Sequence, residues 1–217
     1  MAKILKDTFR PEMARIKREL EALRGLSVHV GIMGDAGSDL LIIAGVHEYG
    51  ATIRAKNVKH LSIPLTDEAK SAGTPRAFND LEFIPIAPGY GYFVREKPEA
   101  KGKKYSPDNY DWLFMLVESV EIPERSFIRA SYDSGKGKLE DLCKEAVNGI
   151  IRQGWTAQAA ADHVGKWALE MTREYFNTKL SPGKSETTQR TTTQEQTLYD
   201  TGRLFRSITY QVEGGTA

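Results

Sequence analysis

Cysteine is nearly absent from this chain of 217 residues, and the single Cys143 excludes an intrachain disulfide and every zinc site built from several thiolates. No run approaches the roughly 18 continuous apolar residues of a membrane span, and residues 1–10 lack the apolar stretch of a secretory leader. Synthesis inside the cell is therefore expected, without secretion or membrane insertion. An excess of one charge is missing too. Thirty Lys and Arg side chains stand against 29 Asp and Glu, a formal net charge of +1, so no global field draws the chain to nucleic acid or to an anionic membrane. Any DNA contact has to be local or weak.

The spacings that mark common catalytic sites are lacking as well. His47-Glu48 opens like a zinc-protease helix, but position 51, where the second ligand belongs, is Ala51. Gly183-Lys184-Ser185 ends like a phosphate-binding loop, yet the leading glycine falls on Thr178 and the segment follows a helix pattern rather than a strand. Gly89-Tyr90-Gly91 has no third glycine for a dinucleotide fingerprint, and there is no Gly-x-Ser-x-Gly nucleophile turn. The four histidines, His29, His47, His60 and His163, have no ligand-like pairing, and the carboxylates are scattered. A non-enzymatic chain with no cofactor or metal is expected. A hydrolase stays open only through clustering of His47, Glu48 and other polar groups in three dimensions.

What is present is ordinary globular composition, 40% hydrophobic and 27% charged, with enough chain to bury a core. Phe9, Met13, Ile16, Leu20 and Leu23 form one helical stripe that Gly25 ends. Val28, Val30 and Ile32 alternate with Ser27, His29 and Gly31 as a half-buried strand, and a second helix over Asp39 to Tyr49 stops at Gly50. From Ala51 to about Val120 six prolines punctuate short β-rich runs at Leu61–Leu65, Leu81–Ile86, Tyr90–Arg95 and Trp112–Val120. The polar stretch Glu96–Asn109, with Lys101, Lys103 and Lys104, reads as a solvated hairpin tip or, more sharply, as a basic nucleic-acid contact. Past Pro123, helical period returns through Leu139, Leu142, Cys143, Ala146, Val147, Ile150 and Ile151, which places Cys143 toward a core. A further helix begins after Thr156 and carries Ala157, Ala160, Ala161, Val164, Ala168, Met171 and Tyr175 on one face. Ser181–Thr197 has almost no apolar side chains to offset the entropy of ordering, so a mobile loop is expected that orders against a partner. A turn or short helix at Asp200–Arg206 and a closing strand at Ser207–Val212 complete the pattern.

Four stretches carry a family likeness. They are Val28-His29-Val30-Gly31-Ile32 with Ala44-Gly45-Val46-His47-Glu48-Tyr49-Gly50; Val120-Glu121-Ile122-Pro123-Glu124-Arg125-Ser126-Phe127-Ile128-Arg129; Lys179-Leu180-Ser181-Pro182; and Leu198-Tyr199-Asp200-Thr201-Gly202-Arg203-Leu204-Phe205-Arg206-Ser207-Ile208-Thr209-Tyr210. In this order the chain resembles the tail-completion proteins of tailed phages, also described as virion morphogenesis or tail-to-head joining proteins. The second and fourth stretches are the specific ones. The region from Ala51 to Glu121 is longer than a compact member needs, and its role is not carried over.

The resemblance implies an α+β fold, a small mixed or antiparallel sheet packed by long helices, here with a β-rich insertion. The expected division is a core of residues 1–53 and 122–217, an insertion of residues 54–121, and a flexible polar loop of residues 181–197 within the core. It also implies a structural role in the virion neck: a ring, expected to be a hexamer, between the head-side connector or stopper protein and the tail tube or tail terminator. DNA in the channel would make only transient, non-specific contact, which suits a near-neutral protein. A tail terminator or other minor tail component is the nearest alternative, and a DNA-binding module the alternative of another class. Arg125, Arg129, Lys184, Arg190, Arg203 and Arg206 are the interaction candidates. Arg125, Arg129, Arg203 and Arg206 either pair with carboxylates across a subunit boundary or stand solvated.

Overall fold

The computed structural model describes residues 9–178, 180–185, 197–198 and 201–214. Its fold is α+β, with small antiparallel sheets packed against helices. The chain divides into two units: one takes the described residues up to Tyr49, those of Arg125–Ser181 and those after Glu195, and the other takes Gly50–Glu124 with the described part of Pro182–Gln194.

In the first unit, helix α1 (Phe9–Arg24) ends before Gly25 and leads into strand β1 (Leu26–Ile32). Val28 and Val30 are half-buried while Ser27 and His29 are exposed, the alternation of a strand covered on one face. Helix α2 (Ser38–Tyr49) follows. The chain returns at α4 (Arg129–Gln153), closed by Gly154 in a left-handed conformation, and at α5 (Ala157–Phe176), whose N-cap Thr156 accepts from the Ala159 amide. A single turn, α6 (Arg203–Arg206), precedes β8 (Ile208–Gly214). β1 and β8 pair antiparallel, Leu26 opposite Gly214 and Ile32 opposite Ile208.

Helix α5 organises this unit because small residues on its inner face let neighbours approach closely. A Cβ on Gly165 would strike the Tyr210 ring of β8, and Gly135 on α4 lies against Met171 of α5. One apolar cluster gathers Phe127, Phe176, Ile208, Leu204 and Ala44, with the Phe127 and Phe176 rings edge to face at 5.2 Å. A second joins Ala146, Ile150 and Ala160 to Leu20 and Leu23 of α1.

Cys143 departs from expectation: it is exposed rather than turned to a core. The buried positions of α4 are Ser131, Gly135, Ala146, Gly149 and Ile150, a narrow stripe of mostly small residues against α5. The apolar periodicity around Cys143 is broader than the face α5 covers. The proposed loop at residues 181–197 falls largely outside the described residues.

The second unit is built on β-structure. Strands β2 (Ala51–Arg54) and β7 (Ser119–Ile122) pair antiparallel where the chain enters and leaves it. A four-stranded antiparallel sheet has the order β3 (Leu61–Pro64), β6 (Tyr110–Val117), β5 (Tyr90–Glu96), β4 (Glu82–Ala87). The run read as one strand from Trp112 to Val120 is two, separated at Glu118, because β6 pairs with β3 and β7 with β2. Short helix α3 (Asp67–Ala72) sets Ala69 against Leu113 and Phe114 of the sheet. Both edge strands carry a proline, Pro64 and Pro85, which removes a donor from each edge and discourages sheet-to-sheet association. Lys101, Lys103 and Lys104 are exposed between β5 and β6.

Candidate functional site

Helix α2 turns Leu40, Ala44 and Glu48 inward at helical spacing. Glu48 is only 4% exposed, an expensive place for a carboxylate unless every acceptor position is used. They are used here. Ser126 Oγ donates to Oε1 at 2.7 Å, and the Arg129 amide donates to the same oxygen at 2.9 Å. The amides of Phe127 and Ile128 donate to Oε2 at 2.9 and 3.0 Å. Arg129 adds Nε to Oε1 at 3.1 Å, and its Nη2 donates to the Glu48 carbonyl at 2.7 Å. The Arg125 amide donates to the His47 carbonyl at 2.7 Å.

This arrangement is an N-cap supplied from another helix. The residue at the N-cap position of α4, Ile128, has no side-chain acceptor to offer, so the amides of Phe127, Ile128 and Arg129, where the chain enters α4, take the carboxylate of Glu48 instead. Negative charge there also complements the positive end of the helix dipole. Burial pushes the Glu48 carboxyl upward, but the bonds from Ser126 and the three amides outweigh it and hold the pKa below the ordinary carboxylate value. The guanidinium of Arg129 lies 4.6 Å from the centre of the Tyr49 ring. His47, beside this cap, has its pKa lowered by burial and then by the charge of Arg125, and its Nδ1 is enclosed without a hydrogen-bond partner. Among the described residues no group of three His, Cys, Asp or Glu side chains is placed to hold a metal.

The arginine candidates separate into distinct roles. Arg125 is buried, and burial lowers its pKa. Arg129 serves the Glu48 cap. Arg203, on α6, meets Asp39 at the start of α2 at 3.1 Å, an exposed pair that holds the Asp39 carboxyl below its usual range. Arg206 donates to the Thr201 carbonyl at 3.0 Å, and Thr201 Oγ accepts from the Arg203 amide. Lys184 is half-buried in the second unit. Arg190 lies outside the described residues, as does Asp200. Thus the second and fourth family-like stretches converge on opposite ends of α2, one through Glu48 and the other through Asp39.

Two features escaped the sequence reading. Besides the inward Leu40, Ala44 and Glu48, α2 exposes Leu41, Ile42, Ile43 and Tyr49, with Ile42 66% exposed. A helix that is apolar all round is normally buried all round, and the unbroken run Leu40–Ala44 was the signal. The other feature is on α1, for which the sequence reading gave only the apolar stripe. Arg15 donates to the Ile150 carbonyl at 2.7 Å near the end of α4, and Glu19 accepts from the Ala157 amide at 3.0 Å at the start of α5. One helical turn of α1 thereby answers the negative end of one helix and the positive end of the next.

No known protein family, curated protein or solved structure matches this chain.

Proposed function

We propose that the chain is a non-enzymatic structural subunit of a tailed-phage particle, a tail-completion or neck protein that assembles as a ring between the head-side connector and the tail tube. The observation that carries this reading is the two-sided use of α2. Its inner face and ends tie down the residues by which the chain resembles the tail-completion proteins, Glu48 with Ser126–Arg129 and Asp39 with Arg203. The rest of the helix leaves Ile42 and Ile43 exposed, 66% and 41%. Contiguous exposed apolar side chains on a folded unit mark a protein contact, and a contact repeated head to tail closes into a ring when the rotation permits.

The test is the mass of the purified chain by light scattering after size exclusion, alone and mixed with the connector and tail-tube proteins of the same particle. A ring, or a monomer that assembles only with those partners, is expected; a monomer indifferent to both overturns the reading. A tail terminator would bind the tail tube and ignore the connector. The exposed Lys101, Lys103 and Lys104 favour DNA binding as the second reading. In that case the isolated chain would bind duplex DNA with a steep salt dependence, a log–log slope of roughly −3 for three phosphates.

A further inference from the structure

The side chain of His47 takes no part in the Glu48 cap, yet it stands in the last turn of α2, one residue before the capping carboxylate. Its ring is half-buried, and Nδ1 is enclosed with no hydrogen-bond partner. An enclosed lone pair costs less than the N–H of an imidazolium with no acceptor, so the neutral ring with its proton on Nε2 is the form that fits.

The neighbouring charge points the same way. Arg125 is 9% exposed, and its amide donates to the His47 carbonyl at 2.7 Å. Among the described residues its guanidinium is the charge that bears on the His47 ring. β1, the turn Gly34–Ala36 and α6 also pack against α2, and their charged and titratable groups supply no counter-charge. His29 is exposed, 3.7 Å from Glu213, and Asp35 stands in water. Arg203 reaches Asp39 at the other end of α2, and Arg206 turns to the Thr201 carbonyl. On the α4 side, Arg129 and Glu48 bond to each other. The carbonyl end of α2 does favour a cation in its last turn, but burial and Arg125 outweigh it and lower the His47 pKa.

We propose that His47 is an acid-sensitive catch: when it takes a proton, its ring leaves the enclosed position beside Arg125, the bond from the Arg125 amide to the His47 carbonyl opens, and the hold of Glu48 on the start of α4 loosens. The catch goes beyond the neck reading and does not depend on it, since every part of it lies within one chain. Because the folded chain binds this proton less readily than the unfolded one, the stabilisation is complete above the usual histidine value, near 6.5. It is lost as pH falls from there through the lower folded value. The Glu48 carboxyl, lowered from 4.5, titrates below this window.

Mass spectrometry of the full chain supplies both readings. Exchange of the imidazole C2 hydrogen, followed peptide by peptide, gives the titration of His47 apart from His29, His60 and His163. Amide exchange in a peptide over residues 125–131, corrected for the intrinsic pH dependence of exchange, gives the protection of the junction. His47 is expected to titrate below the usual histidine value, and protection over Phe127–Arg129 to fall about fivefold or more between about pH 7 and about pH 5. His47→Asn, which takes up no proton, should hold that protection level over the same range. A His47 that titrates at or above the usual value, wild-type protection that stays level, or a fall that persists in His47→Asn each overturns the proposal. The first two readings need no variant, so they decide even where His47→Asn fails to fold.

Discussion

Replacing Glu48 tests the architecture most directly. In Glu48→Ala the amides of Phe127, Ile128 and Arg129 and the hydroxyl of Ser126 lose their acceptor together. Phe127 is fully buried, so water reaches that amide only if the start of α4 opens. A buried donor left unmet costs about 1–3 kcal/mol, whereas Arg129, whose side chain is 49% exposed, is solvated when its partner is removed and adds little. Because partial opening relieves some of the unmet donors, the expected loss is about 4 kcal/mol, a large share of the roughly 5–15 kcal/mol that stabilises a domain. Glu48→Gln keeps shape and one acceptor oxygen but points an NH2 group at an amide donor, for a loss of about 2 kcal/mol. Urea unfolding followed at 222 nm measures both, because α1, α4 and α5 of the first unit carry most of the helical signal. The sign with pH is fixed by the depressed pKa: the stabilisation is fully present above the unfolded value, near 4.5, and is lost as pH falls through the lower folded value. The gap between wild type and Glu48→Gln should therefore be constant at neutral pH and close below about pH 4.5. An alanine variant within about 1 kcal/mol of wild type, well short of the unmet-donor cost, would refute the capping argument.

Other consequences are simpler to read. Gly137 of α4 has open space around its missing Cβ, whereas a Cβ on Gly149 would meet the Trp155 ring. Gly137→Ala should raise stability by about 0.5–1 kcal/mol through backbone entropy, and Gly149→Ala should lower it by about 1–3 kcal/mol through overpacking, both measured by urea midpoint. Ile42→Asp should leave the unfolding curve of the isolated subunit unchanged while abolishing the self-associated or partner-bound species in light scattering, since Ile42 is exposed. The exchange of charges in Arg15→Glu with Glu19→Arg places the wrong sign at the ends of both α4 and α5. Hydrogen exchange should quicken through α1, and unchanged protection there would show the clamp to be idle.

Periodicity exposed most of the framework, because α1, β1 and α2 each follow one local pattern and end at a glycine or a strand break. The stop of one helix at Gly154 and the start of the next after Thr156 were legible for the same reason. Cys143 was misjudged because helical period reports which side of α4 is apolar, and that stripe is wider than the surface α5 covers. The Glu48 cap was invisible to spacing: acceptor and donors are far apart in sequence, and nothing local in His47-Glu48 distinguishes a cap from a metal motif. Likewise Arg203 gave no hint of Asp39 as its partner. Separating β6 from β7 at Glu118 required knowing that β3 and β2 pair with different parts of one β-favouring run.

The pairing of β1 with β8 also governs when this fold can form. Its two strands lie near opposite ends of the described chain, Ile32 meeting Ile208 and Leu26 meeting Gly214, with the whole second unit between them in sequence. A ribosome must therefore have released residues past Gly214 before the sheet that covers α5 exists. Until then the inner faces of α5 and β1 remain uncovered, and a contact order this long predicts slow closure. The insertion can fold early on its own neighbouring strands, so the docking of β8 onto β1 follows it.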